Sequence, residues 1–187
     1  MSSVFRSFRA VTAIAAVSGL ALAGAQTADT AARDEGFALR YLLGVQSPEF
    51  WITKPSGERF YDELAEYKAW SQLYLRARDA AARNDERGLR LLLFTTFVAQ
   101  TRNDAALSES LATDLYPIVA PRRAAVFKVL AELRFLARST CHYLRAHHGF
   151  EGRNRETRAA AMAELVKAAN AELPPDAARP CVEELRR

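Results

Sequence analysis

The stretch that most limits what this chain can fold into is the 28-residue run from Pro121 to His148, a helical pattern with a start and a stop. Pro121 suits the first turn of a helix, where its missing N–H is no loss. Gly149 supplies the stop, and Arg145, His147 and His148 complement the helix dipole in the last turn. Between them Val126, Val129, Leu130, Leu133, Leu136, Ala137, Thr140, Tyr143 and Leu144 recur at three-and-four spacing and form one wide apolar stripe. Phe127, Ala131 and Phe135 fall on the other side of the wheel, together with Arg134, Arg138, Arg145 and Cys141. A helix with two apolar sides needs cover on both, so it is expected at the centre of its domain.

The remaining patterns are also helical. Thr27 to Val45, Glu58 to Arg83, Asn84 to Asn103, Asp104 to Tyr116 and Arg158 to Ala171 each carry apolar residues at helical spacing. Asn84-Asp85 and Asn103-Asp104 mark turns, and Pro117 is expected to end its helix at Tyr116. Leu91 to Val98 is apolar nearly all round, interrupted by Thr95 and Thr96, and reads as a buried helix. The fold class expected is all-α, an irregular multi-helix bundle or a short α-hairpin stack around the long helix 121–148. No fixed repeat period holds beyond the Asn-Asp dipeptide.

Residues 1–25 read as a cleaved secretory signal peptide. Arg6 and Arg9 precede a short apolar run, Ala10 to Leu22, and Ala23-Gly24-Ala25 offers the cleavage site before Gln26. The rival reading, a permanent anchor, asks for an apolar run of about 20 residues, longer than this one. A lipobox would need cysteine where Ala25 stands. The expected product is a single helical domain, 26–187, periplasmic or secreted and without stable membrane insertion. Export gives the two cysteines their meaning, because Cys141 and Cys181 then form the one possible intramolecular disulfide. The bond would strap a short C-terminal tail, Ala177 to Arg187, across the arginine-bearing side of the long helix.

Charge argues against nucleic acid. The formal net charge of +4 drops to +2 without Arg6 and Arg9, too little for a concentrated basic face. Local basic clusters, Arg83, Arg87 and Arg90, then Arg153, Arg155 and Arg158, either meet an acidic partner or pair with nearby carboxylates. The loop Glu49 to Gly57 holds Phe50, Trp51 and Ile52, which either plug the end of the helical core or form a contact surface. The plug is the commoner arrangement and the one expected here, with Phe50, Trp51, Arg87, Arg153 and Arg155 the candidates for partner contact otherwise.

Catalytic signals are thin. Asp62, Glu63 and Glu66 cluster at a helix start, where carboxylates could do acid–base chemistry but where the helix dipole favours them anyway. His142, His147 and His148 lack the i, i+4 or i, i+3 spacing of a helical metal pair, so no metal or other cofactor is expected. Nucleotide-binding, hydrolase-elbow and calcium-loop motifs are absent from the sequence. The function expected is that of an exported, non-catalytic binding protein whose partner is another protein or an envelope component. Small exported helical proteins with one disulfide include immunity proteins that block secreted toxins, a likeness of class and not of motif. The alternative is a carboxylate-dependent hydrolase acting on envelope glycan.

Overall fold

The computed structural model describes residues 30, 32–150 and 155–187. Residues 1–25, expected to be a signal peptide, and Glu151 and Arg153 lie outside them. The chain divides into two units, Met1–Ser47 and Pro48–Arg187. The first contains α1, residues 32–43. Gly44 ends it in the left-handed region (φ 66°), with its N–H on the Tyr41 carbonyl (3.2 Å) and that of Val45 on Arg40 (3.0 Å). This is the Schellman stop that a glycine permits.

The second unit is the all-α bundle with its disulfide. A 3-10 turn, Pro48–Phe50, leads into a hairpin of β1 (Trp51–Thr53) and β2 (Arg59–Tyr61). The helices are α2 (Glu63–Ala82), α3 (Glu86–Arg102), α4 (Ala105–Val119), α5 (Arg123–Glu132), α6 (Ala137–Phe150), α7 (Arg155–Glu172) and α8 (Pro175–Leu185).

One two-residue device joins α2 to α3 and α3 to α4. Asn84 (φ 68°) and Asn103 (φ 53°) take the left-handed conformation that asparagine tolerates better than most residues. The next N–H, of Asp85 or Asp104, reaches back five residues to Ala80 (3.1 Å) or Ala99 (3.0 Å) and closes the outgoing helix. The same aspartates then cap the incoming one, Asp85 accepting from Gly88 N (2.8 Å) and Asp104 from Leu107 N (3.0 Å). Each joint thus satisfies backbone groups on both sides.

Helix α6 is the centre, packed by α8, α4 and α3. Ala137, Cys141, Tyr143 and Leu144 are buried in it, as are Ser139 and Thr140. The two threonines that interrupt α3 are buried too, each hydroxyl donating to a carbonyl three residues back, Leu92 or Leu93, at 2.6 Å. Thr96 also meets Ser139 at 2.9 Å, so this polar seam is satisfied internally.

Several expectations need correction, among them the stop at Gly149, which lies inside a helix that runs to Phe150. The run 121–148 is helical but not one helix. Leu133 leaves the helical region (φ −113°, ψ 67°), a 3-10 turn spans Arg134–Leu136, and Pro121 sits in another 3-10 turn, Ala120–Arg122. The break frees Phe135 to pack edge-on to Phe94 (6.5 Å) and Phe97 (5.2 Å). Pro117 does not end α4, which continues to Val119. A proline in the last turn forfeits one backbone bond, and the burial of Leu115 and Val119 offsets it. Glu58 to Tyr61 is strand and turn, so α2 opens at Glu63. The C-terminal tail is a full helix, α8, started by Pro175 in its first turn.

Gly88 marks the closest approach of α2 and α3. A Cβ added there would lie 2.5 Å from Ala80 Cβ and 2.9 Å from the Ala81 backbone nitrogen. Alanine ordinarily strengthens a helix by about 1 kcal/mol over glycine. Gly88→Ala is nevertheless expected to destabilise by about 1–2 kcal/mol, roughly 2–8 °C in melting midpoint, because backbone must move to admit the methyl. A melting midpoint at or above that of the parent would show that the crossing yields.

Candidate functional site

The aromatic loop is a hairpin, and its register decides what it displays. Trp51 pairs with Tyr61, Ile52 with Phe60 and Thr53 with Arg59. Cross-strand partners share a face, so Trp51, Thr53, Arg59 and Tyr61 form one side while Ile52 and Phe60 form the other. Pro55 presets the turn, and Gly57 (φ 85°) brings the chain back, with its N–H on the Lys54 carbonyl at 2.9 Å. Lys54 also pairs with Glu58 at 2.8 Å.

The hairpin does not plug the core. Trp51 is 37%, Ile52 41% and Phe60 36% exposed, and only Phe50 and Tyr61 are half-buried. The physical reason is local pairing. Trp51 packs edge-on to Tyr61 (5.5 Å) with the Arg59 guanidinium over its ring (5.0 Å), and Lys54 lies over Phe60 (5.3 Å). These contacts hold the rings in place without sealing them from water. Leu64 and Tyr67, on the first turns of α2, are exposed as well.

The three carboxylates beside the hairpin have structural duties. Asp62 caps α2 by accepting from Ala65 N at 2.9 Å, and Glu66 accepts from the Tyr61 hydroxyl at 2.6 Å, tying hairpin to helix. Glu63 faces solvent. None of the three lines the cleft between α2 and α4. That cleft, about 180 Å³, holds Tyr74, Arg78 and Asp114. Tyr74 donates to Asp114 at 2.9 Å and Arg78 to the same oxygen at 3.1 Å. Burial, the Asp114 hydrogen bond and the Asp114 charge push the Tyr74 phenol far above its ordinary value, making it a fixed neutral donor. Asp114 is therefore already committed to two donors.

The histidines separate. His147 stacks on Tyr116 (4.8 Å, 12°) and its Nδ1 lies 3.2 Å from the Ala112 carbonyl, which can only accept, so Nδ1 carries the proton. His148 meets Tyr116 edge-on at 4.5 Å. His142 instead bonds to Glu184 at 2.9 Å. Among the described residues no three potential ligands converge to hold a metal ion.

The chain matches no protein-family model, no curated protein and no solved structure.

The basic clusters also divide. Arg90 is held by Glu86 (3.1 Å) and Glu132 (2.5 Å), Arg87 lies exposed in the first turn of α3, and Arg155 opens α7. Sequence reasoning missed Phe60 as a display residue because Glu58 to Arg83 reads as one helix. The signal was present: Lys54-Pro55-Ser56-Gly57 between two aromatic runs is a hairpin pattern. It also missed Glu184, which looked like one more charge in a short tail.

The arginine side of α6 is where α8 docks. Cys141 and Cys181 are bonded, with Cα atoms 5.2 Å apart. Arg134 pairs with Asp176, Arg138 with Glu183 (3.2 Å) and Arg145 with Glu184 (3.0 Å). The first two are exposed and add little stability singly, whereas Glu184 is buried, and the spacing of all three fixes the register of α8 along α6. No described helix is long and apolar enough to cross a membrane.

Proposed function

We propose that this chain is an exported, non-catalytic binding protein that uses the β1–β2 hairpin to contact another protein or an envelope component. The observation that carries the reading is the hairpin itself, which holds Trp51, Ile52 and Phe60 in water on both faces by local contacts alone. Tryptophan beside arginine is the composition of binding hot spots, where large rigid rings contribute contact area at small entropic cost. The disulfide fits an oxidising compartment, as does the cationic start and short apolar run of residues 1–25.

The test is retention of a partner from envelope extract by immobilised residues 26–187, with a photo-crosslinker at Phe60 to identify what touches the hairpin. The double variant Trp51→Ser, Phe60→Ser is expected to retain that partner about ten-fold less or worse, with its melting midpoint unchanged. Equal retention by the variant, or turnover of envelope glycan by the parent chain, would remove the reading.

A further inference from the structure

A second surface, unrelated to the hairpin, lies where α7 passes the end of α8. Met162, Val166 and Leu185 floor an open groove of about 720 Å³, a volume in the range of small-molecule sites. Its rim is cationic, with Arg158, Lys167 and Arg186, and no Asp or Glu side chain lines it. Among the described residues these three enter no ion pair, unlike neighbouring Arg187, which meets Glu184 at 3.0 Å. An apolar floor inside an uncompensated positive rim is a complementary mould for one chemistry, an apolar tail with an anionic head.

We propose that this groove binds a free single-chain anionic amphiphile, of the type of a long-chain carboxylate. Two features favour this occupant over a membrane surface or an acidic helix. Met162 and Leu185 are recessed and nearly closed to water, and Val166 is half-buried, so the large apolar side chains lie at the base of the groove. An alkyl chain is far thinner than a helix about 10 Å across and so reaches a buried floor more readily. Arg158 and Lys167 stand nine residues apart on α7, roughly 13 Å along its axis, so one cation can hold the head while the tail runs along the groove.

Calorimetric titration of residues 26–187 with octanoate, decanoate and dodecanoate, each below its aggregation concentration, tests this. One site is expected, with affinity rising about four-fold per added methylene. Dodecyltrimethylammonium, with the same tail and a positive head, is expected not to occupy it. Lys167→Glu should weaken dodecanoate about ten-fold, and Ala163→Trp, which fills the groove from an exposed position, should abolish binding with the melting midpoint preserved. Lys68→Glu, exposed on α2, serves as the charge control and should change nothing. Binding at many sites undiminished in Ala163→Trp overturns the proposal. So does equal affinity for the cationic amphiphile, or binding to anionic vesicles or an acidic amphipathic peptide with none to dodecanoate.

Discussion

Replacing both Cys141 and Cys181 by serine is expected to lower the unfolding free energy by about 4 kcal/mol, the loop-entropy cost released when a 40-residue closure is opened. The folded structure should change little, because α8 is also held by buried side chains. Ala177, Ala178, Val182 and Leu185 all turn inward, and the ion pairs to α6 remain. The effect therefore lies mainly in the unfolded chain, which gains freedom. Urea unfolding of the double variant should show a lower midpoint, and the parent chain unfolded with reductant should behave like the variant. A loss below about 1 kcal/mol would mean that strain in the native bond cancels its benefit.

Removing Glu184 should also be costly, though less so, and by a different route. This carboxylate is 2% exposed and accepts from His142 Nδ1 (2.9 Å), Arg145 (3.0 Å) and Arg187 (3.0 Å). Burial alone raises its pKa. The hydrogen bonds of His142 and Arg145, with the charges of His142 and Arg187, outweigh that and hold it below the ordinary value. Its folded-state pKa is thus depressed, so its contribution is complete above the normal carboxylate range. That contribution is lost as pH falls through the range and past the folded value. Glu184→Ala is expected to cost about 2–3 kcal/mol at neutral pH, less than a fully buried pair because its partners keep contact with water. Glu184→Gln should cost less, and both variants should flatten the acid limb of stability against pH. An acid limb unchanged in Glu184→Gln would mean that another carboxylate governs it. Because Glu184 and the disulfide fasten the same two helices, their losses should not add when combined.

The parts of this fold legible in the sequence were those set by neighbouring residues. The Asn-Asp joints and the buried Leu91–Val98 helix follow from conformational preference and spacing, which act within a few positions. The disulfide was legible because two cysteines admit one intramolecular pairing. The break at Leu133 was not, since Ala131 to Leu136 contains only competent helix formers and no glycine or proline. It accompanies the packing of Phe135 against two rings of α3, a partner 38 residues away from Phe97 in the chain. The α7–α8 groove was equally hidden. Met162 falls within the helical spacing of Arg158 to Ala171, and only the docking of α8 shows which of its neighbours stay uncovered.

The paired duty of Asn84-Asp85 and Asn103-Asp104 has a consequence for how this molecule can vary. A connector whose first residue completes one helix and whose second begins the next holds no slack. One residue inserted in α3 would turn everything beyond it by about 100°, carrying buried leucines toward water. Length changes are thus excluded from Glu63 to Val119 and tolerated at the tip of the hairpin, where Pro55 and Ser56 touch only solvent and their own turn. The helical bundle keeps its phase, and the displayed surface is free to diverge.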